Sequence, residues 1–279
     1  MTLIVGIKCS DGIVLGADGA ATYAAGGQNT IRQTMKKKLR IIDGQVVIGT
    51  SGSIGLGQRF AGDLDAMWRA NAFSSAPRPG QPNLSLPHMA MIGIREAIWK
   101  HIDYETNVAR VFAQSIGPVA LQRAMTTTVV AMPLSHKLCL FQFDEQGAPE
   151  EATEELPFVA IGSGQLLADP FLAFLRRIFW PTKLPTLSEG IVSAVWTLHH
   201  AIQTNPGGIG APMQIVTLSL QGAKPKAIEL SKEQIEGEHL QAIQDAEKKM
   251  AASFGPQQAP APPAPPAPPG AAAPPGAAN

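Results

Sequence analysis

The chain is expected to form an α+β domain in which blocks of strands alternate with pairs of helices, and three observations carry that expectation. Hydrophobic side chains make up 45% of the 279 residues, ample for a buried core. Near-continuous apolar runs of strand length come in blocks, the pattern of sheets covered on both faces. Between the blocks, stretches with helical apolar spacing come in pairs. That order argues for stacked layers of sheet and helix and against an alternating parallel βαβ fold.

Residues 2–9 are apolar and β-branched and read as a first strand; Gly12 marks a turn, and 13–18 is a second run of the same kind. Strands at 39–42 and 46–49 flank Asp43-Gly44, a dipeptide that signals a hairpin. Phe60, Leu64 and Trp68 recur at helical spacing, so 53–69 is a first helix. Pro, Ser and Gly make 72–87 a loop. A second helix begins at Pro87-His88, its buried face set by Met91, Ile94, Ile98 and Ile102. Strands return at 126–132, 137–143 and 158–161. Two helices fit 165–179 and 187–204, split by Pro181 and Pro185. Segments 213–220 and 226–230 close the strands. Ser231-Lys-Glu-Gln234 has the capping-box form that opens a polar last helix ending near Met250.

Composition removes several function classes. The 22 basic and 22 acidic residues cancel, so no charge excess draws the chain to nucleic acid or an anionic membrane. No run of about 18 apolar residues is present, so no membrane span is expected. The first residues lack the order of a secretory signal, and the cytoplasm is the expected compartment. Cys9 and Cys139 are far apart and form neither a disulfide framework nor a metal motif. The six histidines include no HExxH-type or Cys/His cluster, and His199-His200 reads as two ordinary helix residues. Ten of the 24 prolines fall in residues 256–279, so 251–279 is set apart as a disordered Ala/Pro-rich tail behind a domain at 1–250.

Position 2 is the most informative for chemistry. Removal of Met1 would make Thr2 the terminus, with a hydroxyl nucleophile and an α-amine on adjacent carbons. An unperturbed α-amine has a pKa of roughly 7.7–8.0, close to the working pH, so it can act as general base for its own hydroxyl.

The segments from Thr2 onward are specific as an ordered set. Thr2-Leu-Ile-Val-Gly-Ile-Lys8, Asp11-Gly-Ile-Val-Leu-Gly-Ala-Asp18-Gly-Ala-Ala-Thr22, Lys37-Lys38-Leu39, Val46-Val-Ile-Gly49-Thr-Ser-Gly52 and Ala160-Ile-Gly-Ser163-Gly164 together resemble proteasome β-type subunits and their bacterial relatives, including the HslV peptidases. The resemblance implies a four-layer αββα sandwich of the N-terminal-nucleophile (Ntn) hydrolase type and a threonine endopeptidase. It assigns Thr2 as nucleophile, Lys38 as the cation beside it, Asp18 as the partner of Lys38, Gly49 N–H as oxyanion donor, and Ser163 as the serine near the terminal amine. Ala21, Thr22 and Ser51 fall on substrate-binding positions, and Lys36, Arg40 and Val47 lie near the side-chain pocket. A unit charge about 4 Å away, at an effective dielectric of about 20, is worth up to roughly 4 kcal/mol. Lys38 so placed would disfavour protonation of the Thr2 amine and favour a developing alkoxide. The resemblance further implies stacked homo-oligomeric rings of six or seven subunits, a peptide or unfolded-protein substrate, an ATP-dependent unfoldase as partner, and neither metal nor organic cofactor.

One region departs from the pattern. Active relatives carry Asp-x-x-Ser-Gly after the fourth helix; here Gln203-Thr-Asn-Pro-Gly-Gly-Ile-Gly-Ala-Pro-Met213 has neither the acid nor the serine. Asn205 can supply hydrogen bonds but no charge. Losses in such supporting groups cost ten- to a hundredfold at comparable sites, so a ring-forming structural subunit with little activity is the alternative reading. A narrow amidase or peptide transferase using the same nucleophile is a third. A nucleotide-binding oxidoreductase fails on spacing: Gly52-Ser-Ile-Gly55-Leu-Gly57 is not Gly-x-Gly-x-x-Gly, and neither Tyr23 nor Tyr104 begins a Tyr-x-x-x-Lys motif. The Gly-x-Ser-x-Gly elbow of α/β-hydrolases is absent from the sequence.

Overall fold

The structure, a computed structural model, describes residues 2–25, 28–33, 37–73, 84–116, 125–205, 208–222 and 224–254, with backbone alone at 21–25, 28–33 and 115–116. Its strands are β1 (Ile4–Lys8), β2 (Gly12–Ala17), β3 (Ala21–Ala25), β4 (Gln28–Gln33), β5 (Leu39–Ile42), β6 (Val46–Gly52), β7 (Thr126–Leu134), β8 (Lys137–Phe143), β9 (Pro149–Glu151), β10 (Phe158–Ile161), β11 (Gln214–Gln221) and β12 (Lys224–Glu229). Its helices are α1 (Ile54–Arg69), α2 (Leu86–Ile116), α3 (Gln165–Phe179), α4 (Leu187–Thr204), a π-helical stretch at Glu233–Leu240, and α5 (Gln241–Phe254). Met1–Ile243 forms one compact unit and Gln244–Asn279 a second, of which the structure describes the helical residues up to Phe254.

One five-stranded sheet has the order β10-β1-β2-β11-β12 and the other β5-β6-β7-β8-β9, with β3 and β4 as a separate hairpin. Neighbouring strands are antiparallel throughout. The period-two geometry of a strand divides each apolar run between two cores. On β1, Leu3, Val5 and Ile7 pack under α3 and α4, while Ile4 faces the other sheet. On β6, Val46 and Ile48 pack under α1 and α2, while Val47 turns inward to Val129, Ala131 and Leu140. The inner core draws on both sheets, so the layers run helices, sheet, sheet, helices. This is the α+β, αββα arrangement expected from sequence. The near-continuous apolar runs follow from it, because both faces of each sheet are covered.

The expected strands and helices form, with a few differences of extent. The hairpin β3–β4 was not foreseen, since Ala21–Gln33 is poor in large apolar residues and only Gly26-Gly27 marks a turn in the sequence. β9 is too short to signal itself. α2 continues to Ile116, well past its last core isoleucine, Ile102; nothing between Tyr104 and Ile116 breaks a helix, and Gly117-Pro118 is the first stop signal. The last helix opens on the expected capping box: Ser231 Oγ accepts from Gln234 N at 3.3 Å and Gln234 Oε1 from Ser231 N at 2.9 Å. It begins as a π-helical stretch and ends at Phe254. Most of the expected loop 72–87 and the tail from 255 onward lie outside the described residues.

Polar ties join α1 to α2 along their outer edge. Asp63 accepts from Lys100 Nζ and His101 Nε2, each at 2.8 Å, and Arg59 pairs with Glu105. Burial alone would raise the Asp63 carboxyl, but the hydrogen bonds from Lys100 and His101 outweigh it and hold the group below its ordinary value. A depressed carboxylate stabilises the fold above its unfolded pKa and loses that contribution as pH falls through the folded value. Such exposed pairs are worth about 0.2–1 kcal/mol. Asp63→Asn is therefore expected to lower Tm by about 1–3 °C at neutral pH and to leave it unchanged in acid, where Asp63 is protonated in both states; thermal melts across pH check this.

Candidate active site

Strand register brings the sequence-singled residues to one end of the first sheet. β1 and β2 pair Ile4 with Ala17, so Leu3 and Asp18 stand opposite each other one step further on. There Asp18 N donates to Leu3 O at 3.1 Å and Leu3 N donates to Asp18 Oδ1 at 2.8 Å. On the other side β1 pairs Ile4 with Ile161 of β10. The chain beyond β10 then runs back past Thr2: Gly164 N donates to Thr2 O at 3.1 Å, and Thr2 N donates to Ser163 Oγ at 3.2 Å. Gly162 adopts φ +93°, and a Cβ there would lie 2.3 Å from Thr2 O and 2.7 Å from Ser51 Oγ. Only glycine meets both demands.

Lys38 reaches the same place from the second sheet. Its ammonium donates to Asp18 Oδ1 at 2.5 Å, with Lys38 only 5% exposed and Asp18 fully buried. Oδ1 thus takes the ammonium and the amide that follows Thr2 together. Oδ2 accepts from Ala20 N at 3.1 Å and Gly210 N at 3.2 Å. A carboxylate offers about four acceptor positions, and here four donors fill them. Burying an ion pair stabilises only when the remaining hydrogen-bonding positions are also satisfied, and Asp18 meets that condition.

Gly49 pairs with Leu39 in the β5–β6 register, one residue from Lys38. A Cβ there would lie 2.8 Å from Leu39 Cδ2 and 3.1 Å from Ile4 Cδ1, so a larger residue would have to push these side-chain ends aside. The Ser51 carbonyl accepts from Thr126 Oγ1 at 2.9 Å. Ala21 and Thr22 open β3, directly after Asp18–Ala20, and only their backbone is described; Lys36 lies outside the described residues.

Two contributors escaped the sequence reading. Gly210 supplies a backbone N–H to Asp18, and its carbonyl accepts from Gly19 N at 2.8 Å. A backbone donor leaves no trace in residue type. Gln214 is 8% exposed and bonds the backbone of Lys38 and Leu39; a polar residue heading an apolar strand was its only signal. Asn205 ends α4, and its carbonyl accepts from Gly208 and Ile209, each at 3.4 Å.

Rival chemistries find little here. Burial, with Asp11 and Glu189 adding to it, pushes the Cys9 thiol up to about 12, and burial does the same to Cys139, so neither forms a thiolate nucleophile at neutral pH. Among the described residues no group of three His, Cys, Asp or Glu side chains could hold a metal ion. His200 stacks on Phe171 with ring centroids 4.4 Å apart, an ordinary packing role. Gly52-Ser-Ile-Gly55-Leu-Gly57 joins an antiparallel strand to α1, with Ser53 as N-cap, and no parallel crossover surrounds it.

Residues 2–74 match the sequence model of the family described as Proteasome subunit. That stretch contains Thr2, Asp18 and Lys38. Over that stretch the chain is similar to proteasome subunits. Solved structures share its fold over nearly their whole length. Anbu (ancestral beta-subunit) from Yersinia bercovieri superposes with a TM-score of 0.63 at 15% identity, covering 92% of this chain and 98% of that one. The Anbu complex of Pseudomonas aeruginosa, described as a helical assembly, gives 0.58 at 18% identity, covering 94% and 98%. A form of Anbu from Hyphomicrobium sp. strain MC1 gives 0.59 at 17% identity, covering 91% and 98%. No curated protein sequence matched. No helix among the described residues is long and apolar enough to cross a membrane.

Removing one partner of the buried pair strands the other. Asp18→Asn is expected to destabilise the protein by about 3–5 kcal/mol. Adding Lys38→Met to Asp18→Asn should recover part of that loss, because no buried cation then lacks its counter-charge. Urea unfolding of the three proteins checks both statements.

Proposed function

We propose that this chain is a threonine-type endopeptidase whose nucleophile is Thr2, freed by removal of Met1. The observation that carries this reading is the single oxygen, Asp18 Oδ1, that accepts both the Lys38 ammonium and the amide next to Thr2. This shared acceptor supports a reading in which the cation stands near the future terminus and its positive charge keeps the α-amine neutral and basic. While Met1 remains attached, the Thr2 nitrogen is an amide and cannot serve as a base.

In the proposed cycle the free amine takes the Thr2 hydroxyl proton as Oγ attacks a peptide carbonyl. Gly49 N–H stabilises the oxyanion, a contribution of about 10²–10³ in rate for one such donor. The ammonium formed passes its proton to the departing amine, leaving an ester on Thr2. Water, deprotonated by the same amine, hydrolyses the ester and restores the hydroxyl. Ser163, whose Oγ already lies 3.2 Å from Thr2 N, orients the amine. Ala21 and Thr22 would receive the substrate backbone in β-strand fashion, with Ser51 beside them.

The reading extends to organisation. Residues 1–250 would form the catalytic domain, with 251–279 as an extended appendage, in a cytoplasmic homo-oligomer acting on peptides or unfolded protein supplied by an ATP-dependent unfoldase. Stacked rings of six or seven subunits are one arrangement. The similar Pseudomonas aeruginosa protein is a helical assembly, which gives an open helix of copies as the other; the two differ only in whether the rotation between neighbours closes.

Intact mass before and after treatment with a peptide epoxyketone tests the chemistry, since that warhead needs the hydroxyl and the free amine of one terminal threonine. The expected outcome is loss of Met1 and one adduct per chain on Thr2, absent in Thr2→Ala and slowed about 10²–10⁴-fold in Lys38→Ala. Retained Met1 in active protein, or loss of Met1 with no adduct across several peptide sequences, overturns the reading and leaves the structural subunit.

A further inference from the structure

The Lys38 side chain is held by Asp18, but an ammonium on a flexible four-carbon stem is only as well placed as its backbone. That backbone sits at the head of β5, an edge strand of the second sheet. β6 lies along one side of β5, and the groups on the other side need partners from elsewhere. One side chain from the opposite sheet provides them. Gln214 Oε1 accepts from Lys38 N and from Leu39 N, each at 3.0 Å. Gln214 Nε2 donates to Leu39 O at 3.1 Å and to Glu229 Oε1 at 3.3 Å.

A primary amide has two donor hydrogens and two acceptor lone pairs, and all four are used here. The amide stands in for a neighbouring strand, taking the N–H and the C=O of Leu39 as a β partner would. No other side chain of this size matches. A glutamate would set a second carboxylate against Glu229 and leave Leu39 O without a donor, and a leucine would leave two N–H groups unpaired away from water. The arrangement continues outward, because Glu229 Oε2 pairs with Lys37 Nζ at 2.8 Å. Three consecutive residues, Lys37 to Leu39, are thus held by one connected group on β11 and β12.

The backbone of Gln214 is equally constrained. It pairs with Ala17 in the β2–β11 register, so it lies beside the residue that precedes Asp18. One residue therefore reads the position of Asp18 through its main chain and that of Lys38 through its side chain. We propose that Gln214 is the positioning residue for Lys38, fixing the ammonium relative to Asp18 and Thr2 from across the sheet interface. Its consequence for catalysis rests on the assignment of Thr2 as nucleophile; its effect on Lys38 does not.

Two measurements separate these parts. In the first, full-length protein is acetylated with limiting acetic anhydride and each lysine is followed by peptide mass. Lys38, 5% exposed, should react far more slowly than Lys37, 72% exposed. In Gln214→Leu the Lys38:Lys37 ratio should rise at least about tenfold, while the Lys8:Lys37 ratio stays put, since Lys8 is part-buried elsewhere. An unchanged Lys38 ratio, or a rise shared by Lys8, overturns the proposal. Gln214→Asn keeps an amide one methylene too short to reach both partners; it carries the same measurement should the leucine variant not fold.

The second measurement is the rate of epoxyketone labelling at Thr2 against pH. A displaced cation lets the terminal amine keep its proton to higher pH, so the rising limb should move to higher pH in Gln214→Leu. Acting through Lys38, Gln214→Leu should slow Lys38→Met no further, whereas an independent structural defect multiplies the two losses. A shifted limb with non-multiplying losses supports the proposal, and an unshifted limb with multiplying losses overturns it. If wild-type protein shows no adduct at all, the assignment of Thr2 has failed, and the acetylation ratios still decide whether Gln214 places Lys38.

Discussion

A carboxylate cut off from water must find its donors within the fold, and Asp18 draws them from four separate places. Leu3 lies at the head of β1, Ala20 just beyond β2, Lys38 before β5 and Gly210 between α4 and β11. Each of these segments is held by its own strand pairing or core, and the carboxylate is where they are made mutually consistent. An unpaired charge in that position would cost several kcal/mol. The native register at this end of the first sheet is therefore selected electrostatically as well as by apolar burial. A one-residue slip of β1 against β2 would turn Leu3, Val5 and Ile7 away from the helices and also take the Leu3 amide from Asp18.

The same constraint ties down the segment that leads into β1. Chain ends usually fray, but here Leu3 is tied to Asp18 by its N–H and its C=O, and Thr2 O accepts from Gly164 N. The left-handed backbone at Gly162 lets the strand of β10 turn back tightly against Thr2. Ser163 arrives beside the Thr2 nitrogen because of that turn. Three backbone N–H groups and the Lys38 ammonium share the Asp18 carboxylate.

How much of this could be read from sequence depends on whether a feature lives in side-chain type or in main-chain position. The runs 2–9 and 13–18 signalled paired buried strands, and the antiparallel hairpin they form brings Leu3 beside Asp18 without further information. Lys38 and Ser163 were picked out as side chains in an ordered motif set. Gly49 was legible as a glycine, though the sequence did not show how closely the Leu39 and Ile4 side chains pack over it. The hairpin at Ala21–Gln33 was missed because small and polar residues carry weak strand propensity. Gln214 was missed for a different reason. A buried amide is interpretable only when its four partners are known, and they come from residues far away in the chain.

Gly210 is the extreme case, and it changes how the departure at 203–213 should be weighed. The missing acid and serine looked like a lost support for the site. In the fold, the loop that lacks them instead turns a main-chain N–H onto Asp18. Its own placement is secured by Ile209, buried in the helix-side core with Leu3, and by the hydrogen bond from Gly19 to the Gly210 carbonyl. Asp18 is thus held between two main-chain contacts to the same loop, one from its own carboxylate and one from its neighbour Gly19. A donor of this kind survives any substitution that preserves the backbone path, whereas a side-chain donor is lost with a single change. The absence of a motif measured in side chains therefore says little about whether the buried carboxylate is supported. The main-chain donor at Gly210 and the side-chain amide of Gln214 thus hold Asp18 and the Lys38 backbone, one from the loop and the other from the head of β11 that follows it.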